Sequence, residues 1–176
     1  MRTLPVLLLL SLAAPAAAPA APGTSGATVK ELAALLSAKN QTAIAARDPD
    51  TGAFVAALFY PGVQLLVVSS TPPAPDSVAA QLAAHNYQDV YASLQDGSAQ
   101  HGRLFVQDLG ADGLADGGES VDIVYDSGQQ VVFDGNPKSH KMSEKAYRDA
   151  FSSADTRYAR MLTVLVNEAR RAAGQF

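Results

Sequence analysis

The sequence predicts an α+β fold: a mostly antiparallel sheet or small barrel of five to six strands, with an N-terminal, a middle and a long C-terminal helix. Three observations carry that prediction. Short apolar runs are separated by Pro, Gly and Asp turn signals, as in strands joined by tight connections. Helical periodicity appears near both ends of the chain. No internal repeat or composition break divides the 176 residues into two units.

The chain opens MRTLPVLLLLSLAAPAAAPAAPG. Arg2 supplies a charged start, Val6 to Leu12 a short apolar core, and small residues follow. This is the order of a secretory signal peptide, and the apolar run is too short to span a bilayer. Ala18-Pro19-Ala20 fits the small-x-small cleavage pattern, whereas a cut after Ala18 would leave Pro19 first. Residues 1–20 are therefore expected to be a signal peptide, 21–27 a flexible leader and 28–176 one globular domain, periplasmic or secreted. There is no cysteine. A lipid-modified cysteine and disulfide staples are thereby excluded, and the exported domain must be held by its own core. About 155 residues remain after processing, enough for such a core.

The formal net charge is −4, with Lys and Arg scattered. No basic patch marks a nucleic-acid or anionic-membrane partner, and no stable membrane anchor is expected after cleavage.

The elements follow in order. Thr28 with Glu31 three residues on reads as a capping box. Val29, Leu32, Leu35 and Leu36 then mark a helix over 29–38, with Asn40 as its stop. Ile44 opens an apolar run that breaks at Asp48-Pro49-Asp50-Thr51-Gly52. Phe54–Tyr60 and Val63–Ser69 follow as strands around Pro61-Gly62, giving a three-stranded meander whose later strands are apolar enough to be buried on both faces. After Pro72–Pro75, Val78, Leu82, Tyr87 and Val90 mark the middle helix. Arg103–Gln107, Val121–Tyr125 and Gln130–Phe133 are strands, the last two paired as a hairpin around Asp126-Ser127-Gly128. Ser143 caps the final helix, and Tyr147, Phe151, Ala154, Tyr158, Met161 and Leu165 form its apolar stripe. That stripe covers the sheet or, alternatively, pairs two copies of the chain as a homodimer.

The densest polar stretch is FVQDLGADGLADGGES, from Phe105 to Ser120. With Asp108 as position 1, acids fall at positions 1, 5, 9 and 12 (Asp108, Asp112, Asp116, Glu119) and Gly113 at 6. A calcium loop uses those positions, because glycine at 6 permits the sharp turn that points hard oxygen donors inward. Position 3 is Gly110, so one ligand is missing, and strands flank the loop where an EF-hand has helices. The alternative is a solvated Asp/Gly connection between strands.

The three histidines, His85, His101 and His140, lack any partner at metal-ligand spacing. Ser69 and Ser70 end a strand without a nucleophile elbow around them. No phosphate loop or dinucleotide fingerprint occurs, and no catalytic residue is assigned.

The stretch TAIAARDPDTGAFVAALFYPGVQLLVVSS, followed by APDSVAAQLAA, resembles the flavin-binding split barrel of pyridoxamine-phosphate-oxidase-like proteins. The resemblance spans Thr42 to Ala84. It implies a split barrel, a flavin-type ligand and oxidoreductase activity. The family grips the flavin phosphate with basic residues near these strands; here Arg47 is the only nearby cation. The residues themselves point first to a non-catalytic binding or interaction domain. Flavin and calcium are the two cofactors the sequence raises.

Overall fold

In the computed structural model, which describes residues 21–70, 104–118, 121–126 and 129–174, the apolar runs become neighbouring strands. In chain order the elements are β1 (Ala21–Pro22), α1 (Gly26–Ala38), β2 (Ala43–Arg47), β3 (Phe54–Tyr60), β4 (Gln64–Ser70), β5 (Leu104–Leu109), β6 (Ala115–Asp116), β7 (Ile123–Asp126), β8 (Gln129–Val132) and α2 (Glu144–Ala172). Strands β2-β3-β4-β5-β7-β8 form one antiparallel sheet, in that order. A second, two-stranded ladder joins β1 to β6. This is the predicted α+β class. The middle helix and the Pro72–Pro75 break lie outside the described residues.

Period-two alternation sets the two faces of the sheet. Val55, Ala57, Phe59, Leu65, Val67, Leu104, Val106 and Val124 point to one side, where they meet Val29, Leu32 and Leu36 of α1 and the stripe of α2. Ala56, Leu58, Leu66, Val68 and Phe105 form a second apolar cluster on the other side. Strands β3 and β4 are accordingly buried on both faces, as their unbroken apolar sequence requires. Each fully buried Leu or Val contributes about 1.5–3 kcal/mol, and in a chain without disulfides this is the main source of stability.

Helix α2 covers the sheet with Tyr147, Ala154, Tyr158, Met161, Leu162 and Leu165, all buried. The apolar stripe predicted for this helix is thus packed into its own chain's core. Phe133 is clamped edge-on between Tyr147 and Phe151, with ring centroids 5.7 and 5.1 Å away. Ser143 caps the helix as expected, accepting from Ala146 N at 3.2 Å, and Arg170 and Arg171 close it at the end where the dipole favours cations. No helix among the described residues is long and apolar enough to cross a membrane.

Two local expectations are corrected. Helix α1 starts at Gly26, with Ser25 rather than Thr28 at its N-cap position. The capping box does not form, because the helix begins upstream and Thr28 lies inside it; Glu31 pairs with Arg170, and the N–H groups of Thr24 and Ser25 donate to Asp155 from α2. The stretch expected to be a loose leader, residues 21–27, holds β1 and the first two residues of α1.

Candidate binding site

The acidic stretch runs from the end of β5 to the start of β7, and the structure sends its acids in different directions. Asp108 lies inside β5, on the helix-facing side, and is fully buried. Its Oδ1 accepts from Asp112 N at 3.2 Å; its Oδ2 accepts from Gly113 N at 3.0 Å and from the Tyr158 hydroxyl at 2.9 Å. Asp116 turns toward α2, where Oδ1 accepts from the Tyr147 hydroxyl at 2.8 Å and from Gly135 N at 3.1 Å. Glu119 lies outside the described residues. Among the described residues no group of three His, Cys, Asp or Glu side chains is placed to hold a metal ion. Within the described residues the loop hydrogen-bonds to its own first acid, through Asp112 N and Gly113 N.

An acid the sequence did not single out completes this device. Asp122, 2 % exposed, accepts from Leu109 N at 2.9 Å and Ala115 N at 3.0 Å, so it closes the loop from the other side. A third buried acid, Asp155, accepts from Thr24 N at 2.5 Å, Thr24 Oγ1 at 2.6 Å and Ser25 N at 3.1 Å. Ser25 Oγ in turn accepts from Leu114 N at 3.0 Å. Three carboxylates and one hydroxyl thus pin the loop and the N-terminal segment to each other and to α2.

These carboxylates differ electrostatically. Burial pushes Asp108 up to about 6, against the lowering effect of its three donors. Burial pushes Asp122 up to about 7, aided by the nearby Asp108 charge. Their hydrogen-bond donors are backbone N–H groups and a tyrosine hydroxyl, with no Lys or Arg among them. Asp155 behaves oppositely: burial opposes ionisation, but the donors of Thr24 and Ser25 outweigh it and hold the group below the usual range. Tyr158, buried beside Asp108, is held well above its ordinary value by desolvation and that charge.

Beside this device lies a small polar cluster. His140 Nε2 is 3.1 Å from Asp134 Oδ1, and its ring stacks on Tyr147. Ser139 Oγ donates to Asp134 Oδ2 at 3.0 Å. A nucleophilic triad needs the serine on the imidazole and the carboxylate on its far nitrogen. Here Asp134 takes both partners, and the serine is bonded to the acid. His85 and His101 lie outside the described residues.

A concavity with room for a ligand lies elsewhere among the described residues, between β2 and α2. Its volume is about 790 Å³, and its walls are Ala46 to Asp50 on one side and Arg160, Thr163, Val164, Asn167, Glu168 and Arg171 on the other. Arg160 ties the walls together, donating to Asp48 at 3.2 and 3.4 Å and to Asp50 at 3.2 Å. Burial alone would raise Asp48, but bonds from Asp50, Thr51 and Arg160 hold it below the usual range. Arg47 donates to Gly52 O at 3.0 Å and lies over the Phe54 ring at 4.4 Å.

Strand β2 is the first strand of the sheet. Its bonds to β3 bracket the strand: Phe59 N donates to Thr42 O and Asp48 N to Ala53 O, both at 2.8 Å. In an antiparallel ladder the bonding residues alternate. With Ala43 opposite Leu58 and Arg47 opposite Phe54, the N–H and C=O groups of Ala43, Ala45 and Arg47 point away from β3, to the side where no described strand pairs with β2. Three of the five residues of β2 are alanine, and no proline, lysine or bulge guards the edge. Sequence periodicity could identify β2 as a strand, but its edge position follows only from the sheet order.

No protein-family model, curated protein or solved structure matches this chain.

Proposed function

We propose that this chain is an exported domain that acts by binding rather than by catalysis, and that it takes an extended polypeptide segment as an added strand along β2. The observation that carries this reading is the outward row of backbone groups at Ala43, Ala45 and Arg47, beside a groove of about 790 Å³. Main-chain hydrogen bonds would supply affinity, and the groove walls would read the side chains on one face of the incoming strand. The small alanines allow a close approach. Mixed charges at the rim, from Arg171, Glu168 and Asp50, favour a ligand carrying both signs or none.

One further feature supports a binding role. The acids that might have carried chemistry, Asp108, Asp116, Asp122 and Asp155, are engaged in internal hydrogen bonds. Export to the periplasm or medium is supported by the leader-like first 20 residues of the sequence.

The test is selection of binders from a random peptide library, followed by comparison of the wild-type chain with Ala45→Pro. The Ala45 N–H faces away from β3, so proline there leaves the β2–β3 ladder intact while removing the outward donor. The selected peptides should bind Ala45→Pro at least about tenfold more weakly, about 1.4 kcal/mol. Their NMR shift changes should fall on β2 and on residues 160–171 of α2. Equal affinity in the variant, or shift changes elsewhere, would refute strand addition at β2.

A further inference from the structure

We propose that residues 71–103, the segment between β4 and β5, cover the second face of the sheet and seal the apolar cluster on it. Ala56, Leu58, Leu66, Val68 and Phe105 lie on that face, each between 1 % and 4 % exposed. Helices α1 and α2 do not account for this, because their buried residues belong to the cluster on the opposite face. Side chains stand out from a sheet, so neighbours within the sheet cover their flanks and leave their tips open. Leu58 at 3 % exposure therefore has a further layer over it. The burial is that of a single chain, so the layer comes from this chain and not from a second copy.

Both ends of the segment stand beside this cluster. Ser69 and Leu104 are partners in the β4–β5 ladder, so the segment leaves and re-enters the sheet at the same end, between neighbouring strands. About two to five residues suffice to join such a pair; 33 residues lie between Ser70 and Leu104. Val68 and Phe105, the cluster residues nearest that end, face each other across the ladder. Toward the other end the face turns polar, where Gln107 Nε2 donates to Gln64 Oε1 at 2.8 Å. Residues 1–20, by contrast, lead into β1, whose partner β6 lies outside the six-stranded sheet.

The composition of the segment suits such a cover. At about 3.6 residues per turn, Val78, Leu82, Tyr87 and Val90 fall in one half of a helical wheel, and Ser77, Gln81, His85 and Gln88 in the other. The 15 residues from Asp76 to Val90 would span about 22 Å as a helix. The seven residues of β3 or of β4 span about 23 Å. A helix of that length, laid with its apolar half on the sheet, matches the strands beneath it and places helices on both faces of one sheet.

Methyl NMR on the full chain tests the cover. Nuclear Overhauser contacts are expected from residues 71–103, Val78 and Leu82 first among them, to the methyls of Leu58, Leu66 and Val68. Leu82→Ala should shift those three methyl resonances and leave Val55, Leu65 and Val67, on the opposite face, in place. The contacts are read on the wild-type chain, so the proposal stays open to refutation even where the variant does not fold. A folded wild-type chain in which these methyls touch no residue of 71–103 would overturn it. So would contacts from residues 1–20, or between differently labelled copies, in place of those from 71–103.

Discussion

Asp108, in β5, and Asp122, just before β7, are buried carboxylates bonded to backbone N–H groups and one tyrosine instead of to cations. Their folded pKa values, about 6 and about 7, lie above the unfolded value near 4. The folded state therefore binds more protons than the unfolded state between about pH 4 and 7, and stability falls as pH rises through that window. Asp48, Asp134 and Asp155 have the opposite sign. Their depressed values add stability that is lost as pH falls below about 4. Maximum stability is thus expected at about pH 4–5, with a decline of a few kcal/mol by pH 8. Urea unfolding at pH 4.5, 6 and 8 measures it; a flat profile, or a rise toward pH 8, would contradict the assignment of Asp108 and Asp122. A second residue-scale expectation concerns Tyr158→Phe. It leaves the Asp108 carboxylate with one donor fewer in a fully buried site, at a cost of about 1–3 kcal/mol in unfolding free energy. The acids of this stretch were legible from the sequence, but their use was not. Spacing of Asp and Gly is shared by metal loops and by loops that cap themselves, and only the direction of each side chain separates the two.

At the scale of elements, the loop between β5 and β7 and the start of α1 meet at two glycines. Gly113 has φ +103°, and a Cβ there would lie 2.5 Å from the Gly26 backbone. Gly113→Ala therefore suffers both left-handed strain and a backbone collision. It should destabilise by about 3 kcal/mol or more, and a thermal midpoint equal to wild type would show that the crossing can relax. The same contact explains why α1 extends upstream of its expected cap. Position 25 is held from outside the helix, by Asp155 and Leu114, a long-range term that no local capping signal contains. Elements whose cause is local were legible. Strand β3 matches its apolar run from Phe54 to Tyr60, and Ser143 caps α2 as its position before Glu144 suggests.

At the scale of the whole sheet, the six strands with α1 and α2 packed on one cluster make β3 and β4 the most deeply buried of the described strands, and β2 and β8 the edges among them. Amide hydrogen exchange should be slowest in β3 and β4 and fastest at the outer edge of β2, since local opening follows burial. Protection at Ala43 and Ala45 equal to that at Val55 and Val67 would mean the β2 edge is not free. The sequence by itself determined the fold class, the two-sided burial of the central strands, the capped C-terminal helix and the need for a core without disulfides. Each of these follows from composition and local periodicity. Only the tertiary structure decided that Asp108 faces Tyr158, that Asp155 anchors residues 24 and 25, and that β2 stands at an edge beside a groove. Those facts depend on which distant residues meet when α2 closes over the sheet, and contacts separated by 50 to 131 residues leave no periodic trace in the chain.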